Sequence, residues 1–167
     1  SGRGVLATYK QDEGDALYRR GMYTFIKLTV PPPSMMMFDG SNRDECQVTR
    51  YRTNTPLQAL IMLNDPTVLE ASKALADKLL QQKAGTNTFV EKAFRSILCR
   101  QASGKEIETL VAFYDETKKE LAKDQKKAAT LIEPGTYKPK TKQIVDLAAA
   151  MQTIQVIYNM QEAITKT

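Results

Sequence analysis

Histidine is absent from all 167 residues. That excludes a Cys-His pair, a Ser-His-Asp triad and a histidine-ligated metal built from this chain alone. Cysteine is scarce. Cys46 and Cys99 stand 53 positions apart and form no C-x-x-C, which removes covalent haem attachment and a thioredoxin-like centre. Bridged or free, their state is not fixed by spacing. No apolar run approaches the roughly 20 residues of a membrane span. No stretch alternates polar and apolar residues as a half-buried strand would, no repeat is evident, and no glycine-rich phosphate loop is present. Ser1 is neither an initiator methionine nor the start of a signal peptide, so a mature product or a fragment is expected.

What is present is globular and helical. Hydrophobic residues make up 42% and charged residues 26%, enough for a self-sufficient core and too little net charge for disorder. The net charge is +5, and all of it is local. Between Lys118 and Lys142, eight lysines face Glu120, Asp124 and Glu133, a surplus of five. The stretch holds no arginine and one aromatic, Tyr137. Nucleic-acid sites mix arginine forks with stacking rings, so a solvated helix end is the better reading and nucleic acid is disfavoured.

Helix signals run along most of the chain. One helix is expected from Asp15 through Ile26, stopping before Pro31. Thr55-Pro56 and Asp65-Pro66 each read as a capping residue followed by proline at the first helical position. Gly85 ends the second of these helices, and Thr86 or Asn87 opens the next. Ser103 and Glu106 form a capping-box pattern for a helix running to Ile132. A last helix spans about Lys142–Ala163, after a loop at 133–141. The expected fold is all-α, a single domain over 1–167 with five to six helices in an irregular bundle and one long ordered loop at about 31–54.

That long loop carries the densest chemistry. Pro31, Pro32 and Pro33 stiffen its start, and Met35–Met37 with Phe38 read as an apolar plug into the core. Beyond the plug, Asp39, Asp44 and Glu45 are candidate acid–base carboxylates. Arg43, Arg50, Arg52 and Asn54, with Arg19 and Arg20 upstream, are candidate anion ligands, since arginine forks grip carboxylates and sulfates. An ion-pair network pinning the loop explains the same residues. Cys46 reads as a structural thiol or half of a disulfide, and Thr55 and Pro56 as helix-start residues.

The ordered series Leu17-Tyr18-Arg19-Arg20, Tyr23-Thr24-Phe25, Pro31-Pro32-Pro33-Ser34-Met35, Phe38-Asp39, Arg43, Cys46, Arg50-x-Arg52-Thr53-Asn54-Thr55-Pro56-Leu57-Gln58-Ala59-Leu60 and Leu63-Asn64-Asp65 resembles one family. It is DUF1553, or PSD1, the planctomycete surface and cytochrome-c-associated C-terminal domain. Tyr158–Thr165 looks like that family's ending. The resemblance implies the C-terminal portion of a larger family domain, in an exported multidomain protein from planctomycetes, Verrucomicrobia or Bacteroidetes. It implies no established activity. Haem c is expected elsewhere in the parent protein, with no cofactor or metal in this chain. With no histidine and no cofactor motif, the expected role is a non-catalytic helical module packing on other domains of that parent. It would accompany polysaccharide utilisation or extracellular electron transfer, with glycan as a second candidate partner. The alternative is part of a polysaccharide-active enzyme using the carboxylates and arginines of the 39–54 loop.

Overall fold

The computed structural model describes residues 33–40, 48–49, 53 and 55–164. The helix expected from Asp15 to Ile26, Pro31 and Pro32, Cys46, and the candidates Arg19, Arg20, Arg43, Asp44, Glu45, Arg50, Arg52 and Asn54 lie outside these residues. Among the described residues the fold is all-α: eight helices and no strand. None of these helices is long and apolar enough to cross a membrane. The chain divides into two compact units, 1–61 and 62–167.

Eight helices exceed the expected five or six for three local reasons. First, the long loop contains a short helix, α1 (Pro33–Met37). Pro33 opens it, where a missing N–H costs nothing. Its end is a Schellman turn: the Gly40 N–H donates to the Met35 carbonyl at 2.7 Å, and Asp39 takes a left-handed φ of 56°. A Cβ on Gly40 would come within 2.5 Å of that carbonyl, so glycine is required there. The helical turn also alters the plug. Successive residues rotate by about 100°, so three consecutive methionines cannot face one way. Met35 and Phe38 are half-buried, whereas Met36 and Met37 are 53% and 39% exposed.

Second, the helix expected to run from Ser103 to Ile132 breaks at Asp124 into α5 (Gly104–Lys123) and α6 (Gln125–Ile132). Asp124 leaves the helical region and its carboxylate accepts from the Lys126 and Lys127 N–H groups, both at 3.1 Å. It restarts the helix as an N-cap. Third, the last helix is α7 (Ile144–Tyr158) followed by α8 (Gln161–Ile164). The other helices are α2 (Pro56–Asn64), α3 (Pro66–Leu80) and α4 (Thr86–Leu98). Gly85, expected to end α3, is instead the N-cap of α4, and Gln81 closes α3.

The 62–167 unit is organised around α7. Leu147, Ala148, Ala149, Ala150 and Met151 are consecutive and at most 2% exposed. Five successive residues sweep the whole circumference of a helix, so α7 is enclosed on every side. It packs against α3, α5 and α6, and less extensively against α4 and α8. The alanines keep the neighbouring helix axes close. Phe89, Val90, Phe94, Leu110, Tyr114 and Leu121 complete the core, with the Phe89 and Tyr114 rings tilted at 46° and 5.6 Å apart.

Candidate functional site

In the 1–61 unit, the one described carboxylate of the long loop is already engaged. Asp39 Oδ2 accepts from the Thr53 N–H at 2.9 Å and the Thr53 hydroxyl at 2.7 Å. Thr53 Oγ1 in turn accepts from Gln58 Nε2 at 2.8 Å, and the same nitrogen donates to the Met37 carbonyl at 2.8 Å. Gln58 Oε1 accepts from the Thr55 N–H at 2.9 Å while Thr55 Oγ1 accepts from the Gln58 N–H at 3.3 Å, a reciprocal capping box. Gln58 is 2% exposed with its amide donors and acceptor all used. Thus Asp39, Thr53, Thr55 and Gln58 tie the end of α1 to the start of α2. Thr55 and Pro56 open α2 as their sequence suggested.

In the 62–167 unit, α3 presents Glu70, Lys73 and Asp77 at i, i+3 and i+7, a single helical face. All three are buried, at 7%, 1% and 0% exposure. The segment 133–142, here called the strap, lies across them. The Lys73 ammonium donates to the carbonyls of Ile132 at 3.0 Å and Pro134 at 2.7 Å. Glu70 accepts from the Thr136 N–H and hydroxyl, each at 3.1 Å. Asp77 Oδ1 accepts from the Thr141 N–H at 2.8 Å and its hydroxyl at 2.5 Å. Asp77 Oδ2 accepts from the Tyr137 hydroxyl at 2.8 Å, the Lys140 N–H at 3.0 Å and Gln81 Nε2 at 3.0 Å.

Burial works against the Asp77 charge and is the largest single influence on it. The donors from Lys140, Thr141 and Tyr137 together outweigh it and hold the carboxyl well below the usual carboxylate range. The same contact pushes the Tyr137 hydroxyl up, chiefly through its bond to Asp77. Burial pulls Lys73 down, opposed by the charge of Glu70. Gly135, at φ 89°, crosses directly over Glu70. A Cβ there would approach Glu70 Oε2 to 2.7 Å.

A second charged cluster joins the α4–α5 corner to α8. Arg100 makes a two-pronged contact with Glu106 at 2.7 and 3.1 Å and another with Glu162 at 2.7 and 3.0 Å. Its guanidinium carbon sits 4.6 Å from the centre of the Phe94 ring. Glu106 also caps α5, accepting from the Ser103 N–H at 2.7 Å. The Arg100 bonds, then those from Ser103, lower Glu106 to about 2. The Glu106 and Glu162 bonds raise Arg100. Lys118 pairs with Asp146 at 2.5 Å between α5 and α7. Beside the α4–α5 corner a groove of about 400 Å³, polar and apolar in nearly equal parts, is lined by residues that include Thr88, Glu91, Arg95, Gln101 and Ile107. Cys99 is exposed and free in the left-handed turn that ends α4.

The sequence reading singled out none of Glu70, Lys73, Asp77 and Arg100. A signal was available for three of them. Glu70, Lys73 and Asp77 share the core-facing side of an otherwise apolar helical pattern, and an eleven-residue segment with no helix of its own, 133–143, follows α6. Chemically, the α3 cluster binds other parts of the protein: its charges are matched by N–H groups and hydroxyls of the strap and by the carbonyls of Ile132 and Pro134.

Comparison with known proteins gives one family and nothing beyond it. No curated protein matches the chain, and no solved structure does. The family match runs over residues 3–114, so it spans the Arg19–Asn54 motifs and α1 to α4 and ends within α5. The strap, α7 and the likeness at Tyr158–Thr165 lie past its end. Since the match takes in about two-thirds of the 167 residues, the chain belongs to PSD1, a family of proteins of unknown function (DUF1553).

Proposed function

We propose that this chain is a non-catalytic helical module that packs against other domains of a larger exported parent protein, in the service of polysaccharide utilisation or extracellular electron transfer. One observation supports the packing role above the rest. Helix α2 is inverted relative to a solvent-facing helix: its polar Gln58 is 2% exposed, while Leu57, Leu60 and Leu63 are 47%, 54% and 43% exposed. Leucines three apart on one helix face suit a partner surface and burden a helix meant for water. The engagement of Asp39 by Thr53 points the same way, because a carboxylate holding two donors is committed to loop geometry.

The test uses the parent protein split between this chain and the part preceding it, expressed together. Replacing Leu57, Leu60 and Leu63 by glutamine should abolish co-purification while leaving the helical circular dichroism of this chain in place. Unchanged co-purification would overturn the packing role. Asp39→Asn in the full-length parent, assayed on neutral, carboxylated and sulfated polysaccharides, addresses chemistry. Turnover by the parent that this variant abolishes, with its fold intact, would replace the module by an enzyme that uses the 39–54 loop.

A further inference from the structure

The outer face of the strap carries a charge pattern that the clamp beneath leaves unused. Lys138, Lys140 and Lys142 are exposed, and they alternate with half-buried Tyr137, Pro139 and Thr141. The alternation has a cause on the inner side. The Tyr137 hydroxyl and both Thr141 donors turn in to Asp77, and Lys140 is pinned there by its own N–H. The lysine side chains are thereby turned outward. Among the described residues the ion pairs are Arg100–Glu106, Arg100–Glu162 and Lys118–Asp146, so none of the three strap lysines is neutralised by one. Acidic groups nearby are few. Glu70 and Asp77 lie buried underneath, each holding strap donors, and Glu133 is the strap's one carboxylate of its own.

We propose that the strap is a docking surface for a linear acidic polysaccharide, whose carboxylate or sulfate groups seat along Lys138, Lys140 and Lys142. This rests on the polysaccharide-associated reading above. Three points favour that polymer. Lysine offers compact point charges on flexible stems, which suit anions spaced along a chain. The strap has no arginine fork to read base edges, and its one ring, Tyr137, is tied down by its hydroxyl instead of standing out as a stacking platform. It exposes no large apolar side chain to enter a lipid headgroup layer. The clamp adds a further advantage. The backbone beneath the lysines is already ordered, so binding fixes side chains alone.

The experiment titrates the 167-residue chain with heparin and polygalacturonate, and in parallel with a single-stranded oligonucleotide and phosphatidylserine vesicles. Binding to the two polysaccharides, weakened by salt, is expected. Replacing Lys138, Lys140 and Lys142 together by glutamine should weaken it about tenfold, since three exposed ion pairs are lost. Replacing Lys83, Lys105 and Lys119 removes the same charge elsewhere and should leave it nearly unchanged. Asp77→Asn separates a held row from mere net charge. Removing a negative charge below the lysines would tighten a purely electrostatic complex, whereas loosening the strap should weaken this one. If that variant unfolds, Tyr137→Phe, which deletes one hydrogen bond and no charge, carries the comparison. Equal loss in both triple variants, tighter binding by Asp77→Asn, or equal affinity for oligonucleotide or vesicles would overturn the proposal. Shortening of the polysaccharide during incubation would overturn the non-catalytic reading instead, and binding that survives the shortening still supports the lysine row.

Discussion

The strap clamp and the Arg100 cluster solve the same problem in opposite ways. Each anchors a segment distant in sequence through charged side chains. The clamp buries its charges and answers them with backbone N–H groups, carbonyls and hydroxyls. The Arg100 cluster leaves its charges largely in water and answers them with other charges, the Arg100 and Glu162 side chains being 38% and 55% exposed. Position decides the energetics. A buried carboxylate stripped of its role leaves several donors unsatisfied, whereas exposed ion pairs are re-solvated when broken and are screened by salt.

The contrast can be pushed hardest at Asp77. Asp77→Ala strands two backbone N–H groups and two hydroxyls of the strap and should cost about 3 kcal/mol or more, read by urea denaturation. A loss within the noise of the measurement would show that the clamp is not a buried anchor. Gly135→Ala should come next, at about 1–3 kcal/mol, because it combines a left-handed φ with a collision against Glu70. Stability unchanged in that variant would mean that the strap crosses α3 with room to spare.

Arg100→Ala should cost less than either. Its effect should concentrate in faster amide exchange over α8 and shrink as salt is added, with global unfolding little changed. The smallest effect is one of pH. Glu106 titrates at about 2 in the folded chain against an ordinary 4.5. A depressed pKa means that its contribution is complete above pH 4.5 and is lost as pH falls toward 2. Amide exchange over α8 should therefore quicken between those values while the strap, whose Asp77 titrates lower still, stays protected. Simultaneous loosening of both regions would erase the distinction between them.

Local features were the legible ones. The helix starts at Thr55-Pro56, Asp65-Pro66 and Ser103 could be read because a cap and the groups that it satisfies lie within three residues. The break at Asp124 was hidden by good helix formers on both sides, and only its carboxylate on two N–H groups reveals it. The clamp was not legible at all, since it joins residues 59 to 66 positions apart. Asp39 lies between these cases. Its neighbourhood is rich in catalytic residue types, yet its place in the Schellman turn depends on a short helix inside a stretch that reads as one long loop.

The enclosed helix α7 sets a schedule for synthesis. It is the common floor for α3, α5 and α6, and it leaves the ribosome after all of them. Until α7 arrives, the apolar faces of α3 to α6 have only one another to cover them, and the strap has no finished surface to cross. Closure of the unit is therefore a late, long-range event, and the interval before it is when the nascent chain is most open to aggregation and most in need of a chaperone.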